Sequence, residues 1–431
     1  MEKITLFWMR RDLRLEDNTG LTEALSSGHP VLPLFIFDTK IIQELPEDDA
    51  RLTFIHNQIV EIHEKLKDHG SSILVKTGDP IVVFKALMEE FKIAKVYTNR
   101  DYEPYAKERD SKVKGLLEEN GVSFHDFKDQ VIFENEEIKT GSGTTYKVFT
   151  PYSRVWLEKF NSKELTISTL GAKENFFKTD PMAYPSLEDL GFTYSDVEFP
   201  TKKPKKSIIR EYDKNRDFPA RDATSRLGMH LRFGTISIRQ LVIFAQELNK
   251  TYLNELIWRE FYMMILDENP QVVDKAFKPQ YDNIPWRNDE KDFKAWCEGK
   301  TGYPMVDAGM RQLNKIGYMH NRVRMVTASF LTKHLLIDWR WGEAYFGEKL
   351  LDYELSSNNG GWQWAAGTGT DAQPYFRIFN PESQLKKFDK DLEYVKKWVP
   401  EYGTEDYPDP IVEHKFARER ALREYKKALD R

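Results

Sequence analysis

Short, largely apolar runs separated by amphipathic stretches fill the first 130 residues, and that alternation limits what the chain can fold into more than any other feature. ITLFWM, VLPLFIFD, SILVK and KVYTN read as strands buried on both faces. Between them Leu52, Ile55, Ile59, Ile62 and Leu66 recur at helical spacing, as do Phe84, Leu87, Met88 and Phe91. Gly78-Asp79-Pro80 gives the second of these helices an Asp cap and a first-turn proline. The pattern is βαβ and predicts a doubly wound parallel sheet over residues 1–130, whose ligands sit at the carboxyl ends of strands. No GxGxxG follows any of the runs, so the usual dinucleotide fingerprint is missing.

The periodicity fades over 131–205, where Gly141-Ser142-Gly143, Pro151, Pro181, Pro185, Pro200 and Pro204 punctuate a stretch that reads as a long connector. Its lysines Lys202, Lys203, Lys205 and Lys206 fit a solvated linker better than a DNA contact. Strand signals almost vanish beyond 206, and helical stretches over 236–248, 253–268, 305–317, 320–336 and 341–351 predict an all-helical domain spanning 206–431. At 431 residues, 40% of them hydrophobic and 31% charged, each part is large enough to bury its own core.

A single cysteine, Cys297, cannot close an intrachain disulfide or supply a cluster's ligands, which points to a reducing compartment and no iron–sulfur centre. The N-terminal apolar run is followed at once by charges, and no apolar stretch approaches the ~18 residues of a membrane span. A cytoplasmic protein without membrane partners is expected. The formal net charge of −5 argues against a uniformly basic coat and leaves room for a local basic face.

Two helices carry mixed chemistry. In NELIWREFYMM, Glu255, Trp258, Arg259 and Tyr262 form one stripe, although Glu255 and Arg259 alone would make an ordinary i,i+4 surface pair. In MHNRVRMVTASFL, Asn321, Arg324, Met325 and Ala328 align with Arg322 offset, a pattern that a core methionine and solvated arginines would equally explain. A glycine-rich, aromatic stretch follows, DYELSSNNGGWQWAAGTGTD, whose glycines permit close approach of backbone to something bound. Eight of the ten tryptophans lie between 258 and 398, more than a core requires.

FWMRRDLRLEDN, RDFPARDATSRL, NELIWREFY, KTGYPMVDAGMRQL, GYMHNRVRMVTASFLTKHLLIDWRWGE, NNGGWQWAAGTGTDAQPYFRIFNP and YPDPIVEHK occur in this order, and with them the chain resembles the photolyase/cryptochrome family over nearly its full length. It looks most like a class I cyclobutane pyrimidine dimer photolyase. The resemblance implies an α/β antenna-type domain, a linker and a helical domain that holds FAD.

What the resemblance implies about residues is specific. The FAD phosphates and ribityl chain would be gripped by Tyr212 and the loop Thr224, Ser225, Arg226, Leu227 and Gly228, the last standing where many relatives have Ser. Trp258, Arg259 and Tyr262 would lie at the cofactor, with Arg324 and Asp352 paired against the isoalloxazine, Tyr353 and Glu354 beside it, and Asn358 near flavin N5. Glu255, Asn321 and Met325 would line the pocket for a cyclobutane dimer. Relatives that repair (6-4) photoproducts place histidines where this chain has Asn321 and Met325, and an amide and a thioether cannot do that acid–base work.

Trp286, Trp339 and Trp362 match the family's electron-relay tryptophans. Trp364 matches an aromatic covering the dimer, and Arg216, Arg322 and Arg377 match DNA-facing positions. Damaged DNA is the expected partner, with the protein a monomer and no metal at its site. Relatives with a folate antenna carry a glutamate after the strand ending at Asn99, where this sequence has Ala106, which speaks against folate. A deazaflavin or flavin in the first domain, or no antenna, is left open. The alternative function on the same scaffold is a cryptochrome-type blue-light receptor.

Overall fold

Parallel strands β1 (Lys3–Met9), β2 (Val31–Asp38), β3 (Leu74–Gly78), β4 (Lys92–Asn99) and β5 (Ser123–Phe127) form one sheet in the order β3-β2-β1-β4-β5. The central strands β1 and β2 are apolar because helices cover both faces: Ile4, Leu6, Trp8, Leu32, Leu34, Phe84 and Leu87 share one core. Asp79 caps the helix Pro80–Glu90 by accepting the Ile81 N–H at 2.8 Å, as its sequence predicts. The fifth strand escapes sequence reading because SFHDF alternates polar and apolar residues at the sheet edge. The computed structural model describes residues 2–162 and 164–430.

The chain divides into two units: residues 1–137, 157–203 and 227–247 in the first, and 138–156, 204–226 and 248–431 in the second. The stretch read as a connector is therefore shared between them, and it is not all irregular. Phe149–Ser162 is a helix, in which Phe149, Tyr152, Trp156 and Phe160 recur at three and four and are buried. Pro151 suggests a break, but it sits in the first turn, where its missing N–H costs nothing. Lys202 pairs with Glu61 within the first unit.

The motif RRDLRLEDN folds into a buried ion network of the first unit. Arg14 and Arg239 hold the Asp129 carboxylate at 2.7 and 2.8 Å, and Arg239 also holds Asp17 at 3.1 Å. The guanidiniums keep Asp129 down at about 2 against the opposing effect of burial.

The second unit is helical. Its core gathers Trp296, Met305, Val306, Phe330, Leu331, Trp339, Phe346 and Trp362. The helix expected over 320–336 runs as Asn321–Ser329 and then widens into a π-turn, Phe330–His334. No helix among the described residues is long and apolar enough to cross a membrane.

Candidate active site

Three helices of the second unit carry most of the expected site residues: Lys250–Glu268, Asn321–Ser329 and Leu355–Ala366, with the first two packed on the third. The first starts where Asn249 accepts the N–H groups of Thr251 and Tyr252. The second starts where the His320 ring accepts the Arg322 N–H. These caps fix which residues face the site.

Ion pairs tie the first two helices together at two places. Arg216 pairs with Glu255 while its neighbour Asp217 accepts from Arg322 at 2.7 Å, so consecutive residues reach one helix each. On the other side Arg324 holds Asp352 at 2.9 Å and Arg259 holds Glu354 at 3.1 Å, again from residues nearly adjacent in sequence. Glu255 and Arg259 therefore do not pair with each other as an isolated helix would have them do. Burial pushes the Glu255 carboxyl above its ordinary range, and the Arg216 guanidinium works against that push.

Asn321 is exposed, and Met325, Trp258, Tyr262, Tyr353 and Trp364 are half-buried. Trp258 stacks on Phe149 with ring centroids 3.7 Å apart and lies 5.4 Å from Tyr262. Gly360 lets Tyr262 pack this closely, since a Cβ there would stand 2.2 Å from the ring. Asn358 donates its amide to the carboxylate and the backbone carbonyl of Glu343. Sequence reasoning missed Glu343, whose motif WRWGE had been noted without a task for the acid.

The loop expected at the phosphates supplies hydroxyls and a cation. Thr224 Oγ1 and Tyr318 Oη lie 3.1 Å apart, and Tyr252 Oη donates to Ser225 Oγ at 2.9 Å. Arg226 has a left-handed backbone (φ 52°) and stands exposed with its guanidinium 5.1 Å from the Tyr318 ring. Tyr212 packs edge-on against Tyr252. Leu227 and Gly228 belong to the first unit, where Gly228 opens the helix Gly228–Arg232.

These residues fit an FAD. Asp352 is an acceptor, Arg324 a donor and Asn358 an amide, the set that the polar edge of an isoalloxazine needs. Ser356 Oγ, in the first turn of the helix Leu355–Ala366, is buried without a hydrogen-bond partner. The loop hydroxyls and Arg226 suit a pyrophosphate. Among the described residues no group of three or more His, Cys, Asp or Glu could hold a metal ion.

The three tryptophans expected to relay electrons differ in burial. Trp362 and Trp339 are buried, and Trp286 is half-buried with its ring edge-on to Tyr425 at 5.9 Å. Trp362 packs against Gly342, where a Cβ would stand 2.1 Å from the indole, and against Phe346 and Trp296. Arg322 lies 4.4 Å from the Phe388 ring, and Arg377 is exposed beside the exposed Phe376.

Comparison with known proteins identifies the family. Residues 252–405 match the model described as the FAD binding domain of DNA photolyase, and residues 5–170 match the DNA photolyase model. The deoxyribodipyrimidine photo-lyase of Halobacterium salinarum is 37% identical over 98% of this chain and 99% of its own length. A class III photolyase structure from Agrobacterium tumefaciens aligns with TM-score 0.88 at 34% identity, covering 100% of this chain and 98% of that one. An archaeal photolyase from Sulfolobus tokodaii with two FAD molecules aligns with TM-score 0.85 at 35% identity, over 98% of this chain and 99% of that one. With both family models matched and curated relatives similar end to end, the chain belongs to the DNA photolyase family.

Proposed function

We propose that this chain repairs cyclobutane pyrimidine dimers in DNA, using light absorbed by a reduced FAD that the second unit holds. The observation that carries the reading is the double bridge between helices, Arg216–Asp217 on one side and Asp352–Glu354 on the other. It links the helix that carries Glu255 to the helix that carries Asn321 and Met325, which supports reading this carboxylate, amide and thioether as one lesion pocket.

FAD held by these residues would supply light-driven electron-donor chemistry. The chain's own residues orient and insulate. Glu255 hydrogen-bonds a pyrimidine edge, and its raised proton affinity lets it donate as well as accept. Asn321 and Met325 contact the remainder of the dimer. Trp364 covers it, and Trp258 lines the wall. Arg216, Arg322 and Arg377 hold phosphates, which gives affinity that depends on salt and not on sequence. The lesion reaches the opening by flipping out of the duplex, at lower cost than an intact pair.

Arg324 and Asp352 fix the cofactor's polar edge, and Arg259 with Glu354 braces the same wall. Glu343 holds Asn358 so that the amide oxygen faces the cofactor. Trp362, Trp339 and Trp286 pass electrons inward to return an oxidised cofactor to its active form. The protein acts as a cytoplasmic monomer. A receptor function on this scaffold would leave the trio Glu255, Asn321 and Met325 without a task. The deciding test is illumination of the reduced holoprotein with a dimer-containing oligonucleotide. Restored pyrimidines are expected, and intact cyclobutane rings would overturn the reading.

A further inference from the structure

In the order β3-β2-β1-β4-β5 the winding of the sheet reverses between β1 and β4, and doubly wound sheets bind ligands in the crevice at the carboxyl ends of the strands there. A similar photolyase structure contains two FAD molecules, so a second chromophore is a real question for this chain.

Here the crevice is occupied by the chain's own side chains. Trp8, next to the last residue of β1, is buried, with the guanidinium of Arg10 4.7 Å and that of Arg109 5.0 Å from its ring centre. Arg109 reaches in from the helix Pro104–Glu119. It holds Asp110 at 2.9 Å, stands 3.8 Å from Asp38 at the end of β2, and lies 5.7 Å from the Tyr105 ring. Tyr105 Oη donates to Asp38 at 2.6 Å. Arg10 pairs with Asp110 and donates to the backbone carbonyl of Asn99, the last residue of β4. The ends of three strands and the covering helix are thus joined in one ring of charges around an indole.

A flat three-ring chromophore could enter only by parting these pairs, and each parted pair leaves a buried charge without its partner, which is strongly unfavourable. The Arg109 and Asp38 side chains are only 9% and 5% exposed. We infer that the crevice between β1 and β4 takes no second flavin, because Tyr105 and Arg109 plug it, and that the FAD proposed for the second unit is therefore the only flavin the chain holds.

Equilibrium dialysis of the full-length FAD-loaded protein against FMN, FAD and a 5-deazaflavin tests this. One flavin per chain is expected, with a repair action spectrum that follows the reduced FAD alone. A second tightly held equivalent of any of the three in the wild-type chain overturns the inference. The double variant Tyr105→Ala/Arg109→Ala opens the crevice and should bind a second flavin at least tenfold more tightly than wild type, a gain read by dialysis. No gain in a variant that keeps its FAD and its melting transition would show that these two side chains are not the plug, and the inference fails. If the variant does not fold, the wild-type stoichiometry decides.

Discussion

Asn358 donates both amide protons to one residue, reaching the Glu343 carboxylate at 2.9 Å and its backbone carbonyl at 3.0 Å. With its N–H groups committed, the amide offers only its oxygen to a ligand, and an oxygen at that place favours a flavin that carries a proton on N5. Burial holds the Glu343 carboxyl above its ordinary range, with Asn358 opposing that shift. Glu343→Ala should let the amide turn over and shorten the lifetime of the reduced cofactor in air by about tenfold, the equivalent of one hydrogen bond. Timed reoxidation of the holoprotein checks this, and an unchanged lifetime would remove Glu343 from the account.

Glu255→Ala should slow dimer repair by roughly tenfold or more while leaving FAD content unchanged, because in the proposed reading the carboxyl meets the substrate and not the cofactor. Removing its partner gives a different signature. Arg216→Ala should weaken binding to damaged and undamaged DNA alike and lower the slope of log K against log salt by about one. A variant that lost affinity for the dimer alone would assign Arg216 to lesion reading instead.

Trp362→Phe should abolish photoreduction of the oxidised cofactor and spare repair by chemically reduced protein. The two reactions use the flavin in opposite directions, and only the first draws electrons through the protein. Transient absorption separates them. Loss of both activities with FAD retained would mean that Trp362 shapes the cofactor pocket.

Acid should destabilise the second unit through His320. Burial, helped by the Arg324 charge, lowers its pKa to about 4 from an ordinary 6.5, and its Nε2 lacks a partner. The folded state therefore binds fewer protons than the unfolded one. The stabilisation is complete above pH 6.5 and is lost as pH falls toward 4, by about 3 kcal/mol at most. His334, lowered to about 3, adds in the same direction. His320→Asn keeps a side chain able to cap the helix and should flatten the acid limb of urea midpoints measured between about pH 7 and about pH 4.5. Parallel limbs for the two proteins would rule His320 out.

Buried strands and long amphipathic helices were legible in the sequence because burial imposes a period on apolar residues. The edge strand Ser123–Phe127 was not, since half of it faces polar surroundings. The helix Phe149–Ser162 hid behind a first-turn proline. Within the site, the residue types were readable from the family motifs, but their partners were not. Arg216 meets Glu255 across 39 positions and Arg259 meets Glu354 across 95, and nothing local in the sequence announces either pairing. Glu343 was invisible for the same reason, being an ordinary acid on an ordinary helix until Asn358 is seen beside it.

The indole nitrogen of Trp362 is buried and has no acceptor. An oxidised tryptophan normally becomes trapped by giving its proton to a neighbouring base, and this indole N–H has no protein acceptor. A positive charge that arrives there must move on as a charge, toward the half-buried Trp286, or else recombine. In the proposed relay this buried setting would make the indole a conductor, and would leave any permanent resting place for the missing electron to the more exposed end of the series.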